Sequence, residues 1–208
     1  MILVIMPEKK TLYLSFDIET DGDTPVLNNM LGLGIYGLDQ DLNEIFTFDA
    51  NIYPLPDKAP ETACMENFWN KEENQAAWAQ LQLNQRDYVE VCVELSKKLS
   101  ELSKDYKLTW VAAPASFDFA FLKAYYEQSK ISYGKPMHDI GFSCRCGSTL
   151  WSIYKEKHNL SNKNADELKK TLGEFNPEKE HFALEDARFQ GVWYVKVLRL
   201  LIGKSHLC

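Results

Sequence analysis

The run Thr11-Leu12-Tyr13-Leu14-Ser15-Phe16-Asp17-Ile18-Glu19-Thr20 alternates without a break. Leu12, Leu14, Phe16 and Ile18 are apolar, and Thr11, Tyr13, Ser15, Asp17 and Glu19 are mostly polar. Period two is the strand period, so the even residues face a core and the odd residues face away together. Asp17 and Glu19 therefore share one face of a strand. Two carboxylates that close are costly unless both reach water, share a proton or bind a cation. An exposed strand end with two solvated acids is the plainest solution, and the short Asp-x-Glu pattern does not choose among the three.

Working outward, 208 residues with 45% hydrophobic and 25% charged content describe one ordinary globular domain. The expected division is a leader or edge strand at 1–10, a single domain at 11–203 and a tail at 204–208. No apolar run approaches the roughly 18 residues that span a bilayer. Met1-Ile2-Leu3-Val4-Ile5-Met6 is apolar, but Lys9 and Lys10 follow it. A signal peptide has the opposite order, so a cytoplasmic setting is expected. Five cysteines without framework spacing fit reduced thiols. Cys144-Arg145-Cys146 is too tight for a zinc knuckle. The net charge of −7 argues against polyanion binding through bulk charge, yet leaves room for an acidic site that gains phosphate affinity through metal. The mildly basic stretch 155–170 reads as a solvated helix face.

Strands are expected at 11–18, 31–37 and 44–48, the last two joined by the turn Asp39-Gln40-Asp41. A Pro-rich connection over 53–60 is irregular. Helical spacing occupies 61–80 and 86–103, the latter with the stripe Val89, Val93, Leu95, Leu99 and Leu102. A strand at 108–112 precedes a helix capped by Ser116 and running through Tyr126. Another strand is expected near 138–143, then helices at 148–158, 163–172 and about 182–202. A three-strand meander followed by alternating strands and helices is an α/β layered domain.

The last helix holds a misplaced acid. At about 100° per residue, Asp186 shares a face with Phe189, Trp193, Val197 and Leu200, whereas Glu185 shares its face with Arg188, Val192 and Lys196 and reads as the ordinary solvated acid. A carboxylate on the packing stripe needs a compensating partner. Asp118 lies in the first turn of its helix in line with Phe121, Leu122 and Tyr125, although acids are favoured at helix N-termini in any case. His181 stands five residues before Asp186 and suits a base near neutrality. Four carboxylates with a histidine are an oxygen-rich set for Mg²⁺ or Mn²⁺ and for phosphodiester hydrolysis.

Three motifs in order carry a family resemblance. Phe16-Asp17-Ile18-Glu19-Thr20, Ser116-Phe117-Asp118-Phe119-Ala120-Phe121-Leu122 and His181-Phe182-Ala183-Leu184-Glu185-Asp186-Ala187 resemble the motifs of the DEDDh 3′–5′ exonucleases, in particular their small RNase T-like bacterial and phage-type exoribonucleases. The resemblance implies an RNase H-like mixed five-stranded sheet, a three-strand meander plus parallel strands, flanked by helices. It implies two divalent cations, Mg²⁺ or Mn²⁺. Asp17, Glu19 and Asp186 would hold one ion, Asp17 would bridge to the second, Asp118 would act largely through water, and His181 would be the general base. The sister branch carries a tyrosine where this chain has Phe182, so the histidine branch is indicated. Ala113-Pro114 replaces the His-Asn of many members. Thr20 resembles the residue whose backbone meets the 3′-terminal sugar, and Phe68-Trp69 resembles an aromatic pair of that subgroup, open equally to stacking on a terminal base and to packing a helix into the core. The implied substrate is the 3′ end of RNA, with DNA, or an inactive nucleic-acid-binding adaptor, as alternatives. A homodimer is compatible with the resemblance.

Overall fold

A computed structural model describes residues 9–203; residues 1–8 of the leader expected over 1–10, and the tail over 204–208, lie outside the described residues, and Lys10 already belongs to the first strand. Five strands form one sheet: β1 (Lys10–Thr20), β2 (Met30–Asp39), β3 (Glu44–Asn51), β4 (Tyr106–Ala112) and β5 (Arg145–Cys146). Their order across the sheet is β3-β2-β1-β4-β5. The meander β1-β2-β3 is antiparallel, while β4 runs parallel to β1 and β5 parallel to β4. The helices are α1 (Thr62–Cys64), α2 (Gln75–Leu81), α3 (Tyr88–Asp105), α4 (Ala115–Tyr133), α5 (Gly147–His158), α6 (Asn162–Gly173) and α7 (Ala183–Leu201). This is the expected α/β mixed sheet with helices on its faces.

The even residues of β1 behave as their period requires. Leu12, Leu14, Phe16 and Ile18 are buried in a core with Val91, Leu95 and Leu99 of α3 and Phe121 and Leu122 of α4. The odd face does not open to water. Tyr13 joins Val192, Trp193, Val195 and Val197 of α7 in a second core, and Ser15 is fully buried. The exposed strand end is thus corrected: α7 lies across the odd face, because its own apolar stripe needs a partner.

Four local expectations also change. The stretch 61–80 is not one helix; α1, a wide turn at Met65–Trp69, a 3-10 turn at Glu72–Asn74 and α2 follow one another. The polar run Asn70-Lys71-Glu72-Glu73-Asn74 interrupts it, with Asn70 N–H donating back to Met65 O at 2.8 Å. The α4 helix is entered from Pro114, so Ser116 sits inside its first turn instead of capping it. In α3 the buried face is Val91, Cys92, Leu95, Ser96 and Leu99, so Leu95 and Leu99 of the expected stripe hold while Val89 and Val93 are half-buried, and Asp87 caps the helix by accepting from Val89 N–H at 2.8 Å. Residues 138–143 form no strand. Asp139 accepts from Gly141 N–H at 2.9 Å and His138 N–H donates to Ser96 Oγ of α3 at 2.7 Å, so side chains take the place of strand partners here. The fifth strand is the two-residue β5 after it.

Candidate metal-binding active site

The C-terminal end of β1 carries Asp17 and Glu19, opposite Gly34 and Gly32 of β2. Both glycines are closely covered: a Cβ on Gly32 would come within 2.7 Å of Leu81 Cδ2. A Cβ on Gly34 would lie 2.2 Å from the Ala183 carbonyl carbon and the Leu184 nitrogen. Only hydrogen at this position lets the start of α7 rest directly on β2. Further along α7, Gly191 meets Ser15 in the same way: its Cβ would come within 2.8 Å of the Ser15 side chain. The two glycines set α7 down on β1 and β2 so that Asp186 arrives beside Glu19. Asp118 enters from the first turn of α4, directly after β4, and is only 4% exposed.

All five expected residues come together. Ligand atoms of Glu19, His181 and Asp186 lie within 4.8 Å of one another. Burial raises the Asp17 carboxyl well above the ordinary range, and the charges of Asp118, Glu19 and Asp186 push it further. Glu19 is raised likewise by burial, then by Asp186 and Asp118. Burial lifts Asp118 to about 7 and Asp186 to about 6. Asp118 Oδ2 is buried with no hydrogen-bond partner. No lysine or arginine contributes to any of these shifts. Four mutually repelling acids without a cation, one of them with an orphaned oxygen, fit hard divalent ions.

His181 has φ of 65°, in the left-handed region that costs a non-glycine residue about 1–3 kcal/mol. Its N–H donates to Asp186 Oδ2 at 2.8 Å, which ties this backbone to the acid. Its ring packs edge-on against Phe68 with centroids 4.7 Å apart. Burial lowers the imidazole below its ordinary value, with the charge of Glu180 opposing. A neutral imidazole beside carboxylates can accept a proton near pH 7.

No family model and no curated protein matches the chain. Solved structures do. The nuclease domain of 3′hExo, a DEDDh family member bound to rAMP, shares 16% identity at a TM-score of 0.56, covering 93% of this chain and 94% of that one. A 3′-exonuclease in 3′-end-specific recognition of a histone mRNA stem-loop gives 13% and 0.58, over 94% and 84%. The zinc-bound E. coli ExoI–ssDNA complex gives 11% and 0.60, over 95% of this chain and 41% of that chain. The chain has the RNase H-like fold of these 3′-exonucleases.

On this exonuclease fold, the three motifs occupy the end of β1, the start of α4 and the start of α7. The two residues expected from sequence to contact substrate are placed differently from the five clustered ones. Trp69 is 1% exposed, and its indole N–H donates to the Thr20 carbonyl at 2.8 Å. Its ring is enclosed by Phe68 at 4.9 Å and Trp78 at 5.2 Å. Trp69 therefore braces the end of the acidic strand, and half-buried Phe68 is the member of the pair that faces His181. Thr20 is buried, its hydroxyl donating to Gly22 O at 2.8 Å. Sequence reading missed Gly34, Gly191 and Gln190. The last stands one helical turn after Asp186, a polar residue on an apolar stripe, and that mismatch was the available signal.

Proposed function

We propose that this protein is a metal-dependent 3′–5′ exonuclease that releases nucleoside 5′-monophosphates from the 3′ end of RNA. The observation that carries this reading is the convergence of Asp17, Glu19, Asp118 and Asp186 from three distant segments, with no lysine or arginine of the described residues among the main influences on their carboxyls. Asp17, Glu19 and Asp186 would hold one divalent ion, Mg²⁺ or Mn²⁺; Asp17 would be shared with a second, and Asp118 would help through water. Ions held there supply charge neutralisation at the scissile phosphate and a more acidic water.

The chain's own residues have defined tasks. An imidazole nitrogen of His181 takes the proton of the attacking water as its oxygen bonds to phosphorus. The P–O3′ bond breaks, and the 3′ oxygen of the shortened strand leaves and is protonated. Phe68, against the His181 ring, limits the directions that ring can take. The neighbour matched over nearly its whole length is bound to rAMP, and this supports RNA over DNA as substrate.

The test is a cleavage ladder on 5′-labelled RNA and DNA, single-stranded and with 3′ overhangs, in Mg²⁺ or Mn²⁺. A stepwise ladder shortening from the 3′ end of RNA is expected. Equal or faster DNA digestion would transfer the reading to an exodeoxyribonuclease. Binding of both substrates without product in either metal would instead favour an inactive adaptor.

A further inference from the structure

Among the described residues, two hydrogen bonds reach the four site carboxylates from other residues: His181 N–H to Asp186, and Gln190 Nε2 to Asp17 Oδ1 at 2.6 Å. Gln190 is 8% exposed, and its Oε1 is buried without a partner. It follows Asp186 by four residues, so both side chains leave the same face of α7 toward β1. Gly191 makes that reach possible by seating the helix on Ser15.

The chemistry of the amide is as telling as its position. A buried carboxylate among three others needs a donor. A lysine or arginine here would supply one, but would also neutralise the charge that attracts a cation. An amide N–H orients one oxygen of Asp17 and leaves the net charge of the cluster unchanged. Leaving Oε1 unpaired in a buried place costs about 1–3 kcal/mol, so packing alone would favour an apolar residue on this stripe.

We propose that Gln190 is the positioning residue of the metal site: its amide fixes the Asp17 carboxylate in the orientation that receives a divalent cation. This rests on the reading of Asp17, Glu19 and Asp186 as ligands, but it does not need the chain to digest nucleic acid. Removing such an oriented donor behind a metal ligand typically weakens metal affinity by about 10- to 100-fold.

Calorimetric titration of Mn²⁺ into wild type, Gln190→Met and Gln190→Leu, without nucleic acid, tests it. Both variants fill the same volume with apolar atoms, and their metal-free melting curves report folding. The expected result is a Mn²⁺ dissociation constant raised about ten-fold or more in both, with metal-free melting at or above that of wild type. Unchanged Mn²⁺ affinity in a folded variant overturns the proposal. Lower metal-free stability with unchanged affinity also overturns it, because the amide would then be structural only. Wild-type protein that binds Mn²⁺ yet cuts no substrate would sink the exonuclease reading and leave this one standing.

Discussion

Gly34→Ala is the sharpest test of how the site is assembled. The added methyl would sit 2.2 Å from main-chain atoms of Ala183 and Leu184, where ordinary contact begins at 3.4 Å. The start of α7 must therefore retreat by about 1.2 Å, since the obstacle is backbone and cannot swing aside. Asp186 and His181 retreat with it, while Asp17 and Glu19 stay on β1. A misplacement of about 1 Å costs on the order of 100-fold in rate. Overpacking of this kind costs about 1–3 kcal/mol of stability. For a domain of this size, each kcal/mol lowers the melting temperature by about 2–4 °C. The expected variant is folded, melts roughly 2–12 °C lower, and gains much less than wild type from added Mn²⁺. Calorimetry, melting curves with and without Mn²⁺, and the 5′-labelled ladder read the three quantities. A Gly34→Ala protein with wild-type melting, Mn²⁺ stabilisation and turnover would refute the close seating of α7 on β2.

Two further outcomes follow from the electrostatics. Asp118 at about 7 and Asp186 at about 6 bind protons more tightly folded than unfolded, where carboxyls titrate near 4. The metal-free folded state is thus favoured at low pH and loses stability as pH climbs from about 4 through about 7. Melting temperature without metal should fall between pH 5 and pH 8, and saturating Mn²⁺ should remove most of that fall; a flat metal-free profile would contradict the clustering. For His181→Ala, loss of a general base lowers kcat by about 100- to 10,000-fold with Mn²⁺ affinity unchanged. A matching loss of Mn²⁺ affinity by calorimetry would instead make His181 a metal ligand, as its place within 4.8 Å of Glu19 and Asp186 permits.

Sequence was informative where the signal is local. The period of β1 placed Leu12 to Ile18 in the core, and the turn at Asp39–Asp41 placed the hairpin. Asp186 on an apolar stripe marked the site because a buried charge is anomalous against its own helix. What stayed hidden is set by tertiary contact. The pairing of β5 involves two residues, Val111 with Arg145 and Ala112 with Cys146, too few to show a period. The break at 70–74 depends on side chains reaching back, as Asn74 Nδ2 does to Phe68 O at 2.9 Å. Trp69 resembled a stacking platform because an aromatic pair reads alike whether it meets a base or a backbone carbonyl. Gly34 and Gly191 announce nothing alone; their meaning is the distance between α7 and the sheet.

The strongest evidence on the acids lies in a contrast within one helix turn. Glu185 and Asp186 are adjacent, yet Glu185 pairs with Lys179 at 2.9 Å and with Arg188 at 3.3 Å. Both pull its carboxyl below the usual range, against burial, the largest effect, which raises it. The other ion pairs described likewise go to Glu94, Glu127 and Glu174, not to the site acids. Among the described residues, Asp186 receives a backbone N–H and Asp17 an amide, and neither has an ion pair. A fold selected for stability alone would place bases beside its most buried acids, since an unpaired buried charge is among the costliest features a core can hold. Here cations are spent on exposed or half-buried glutamates, while buried Glu19 and Asp118 and half-buried Asp17 and Asp186 keep their repulsion. Protons relieve that repulsion at low pH, and at higher pH divalent cations are the charges such an oxygen-rich cluster suits.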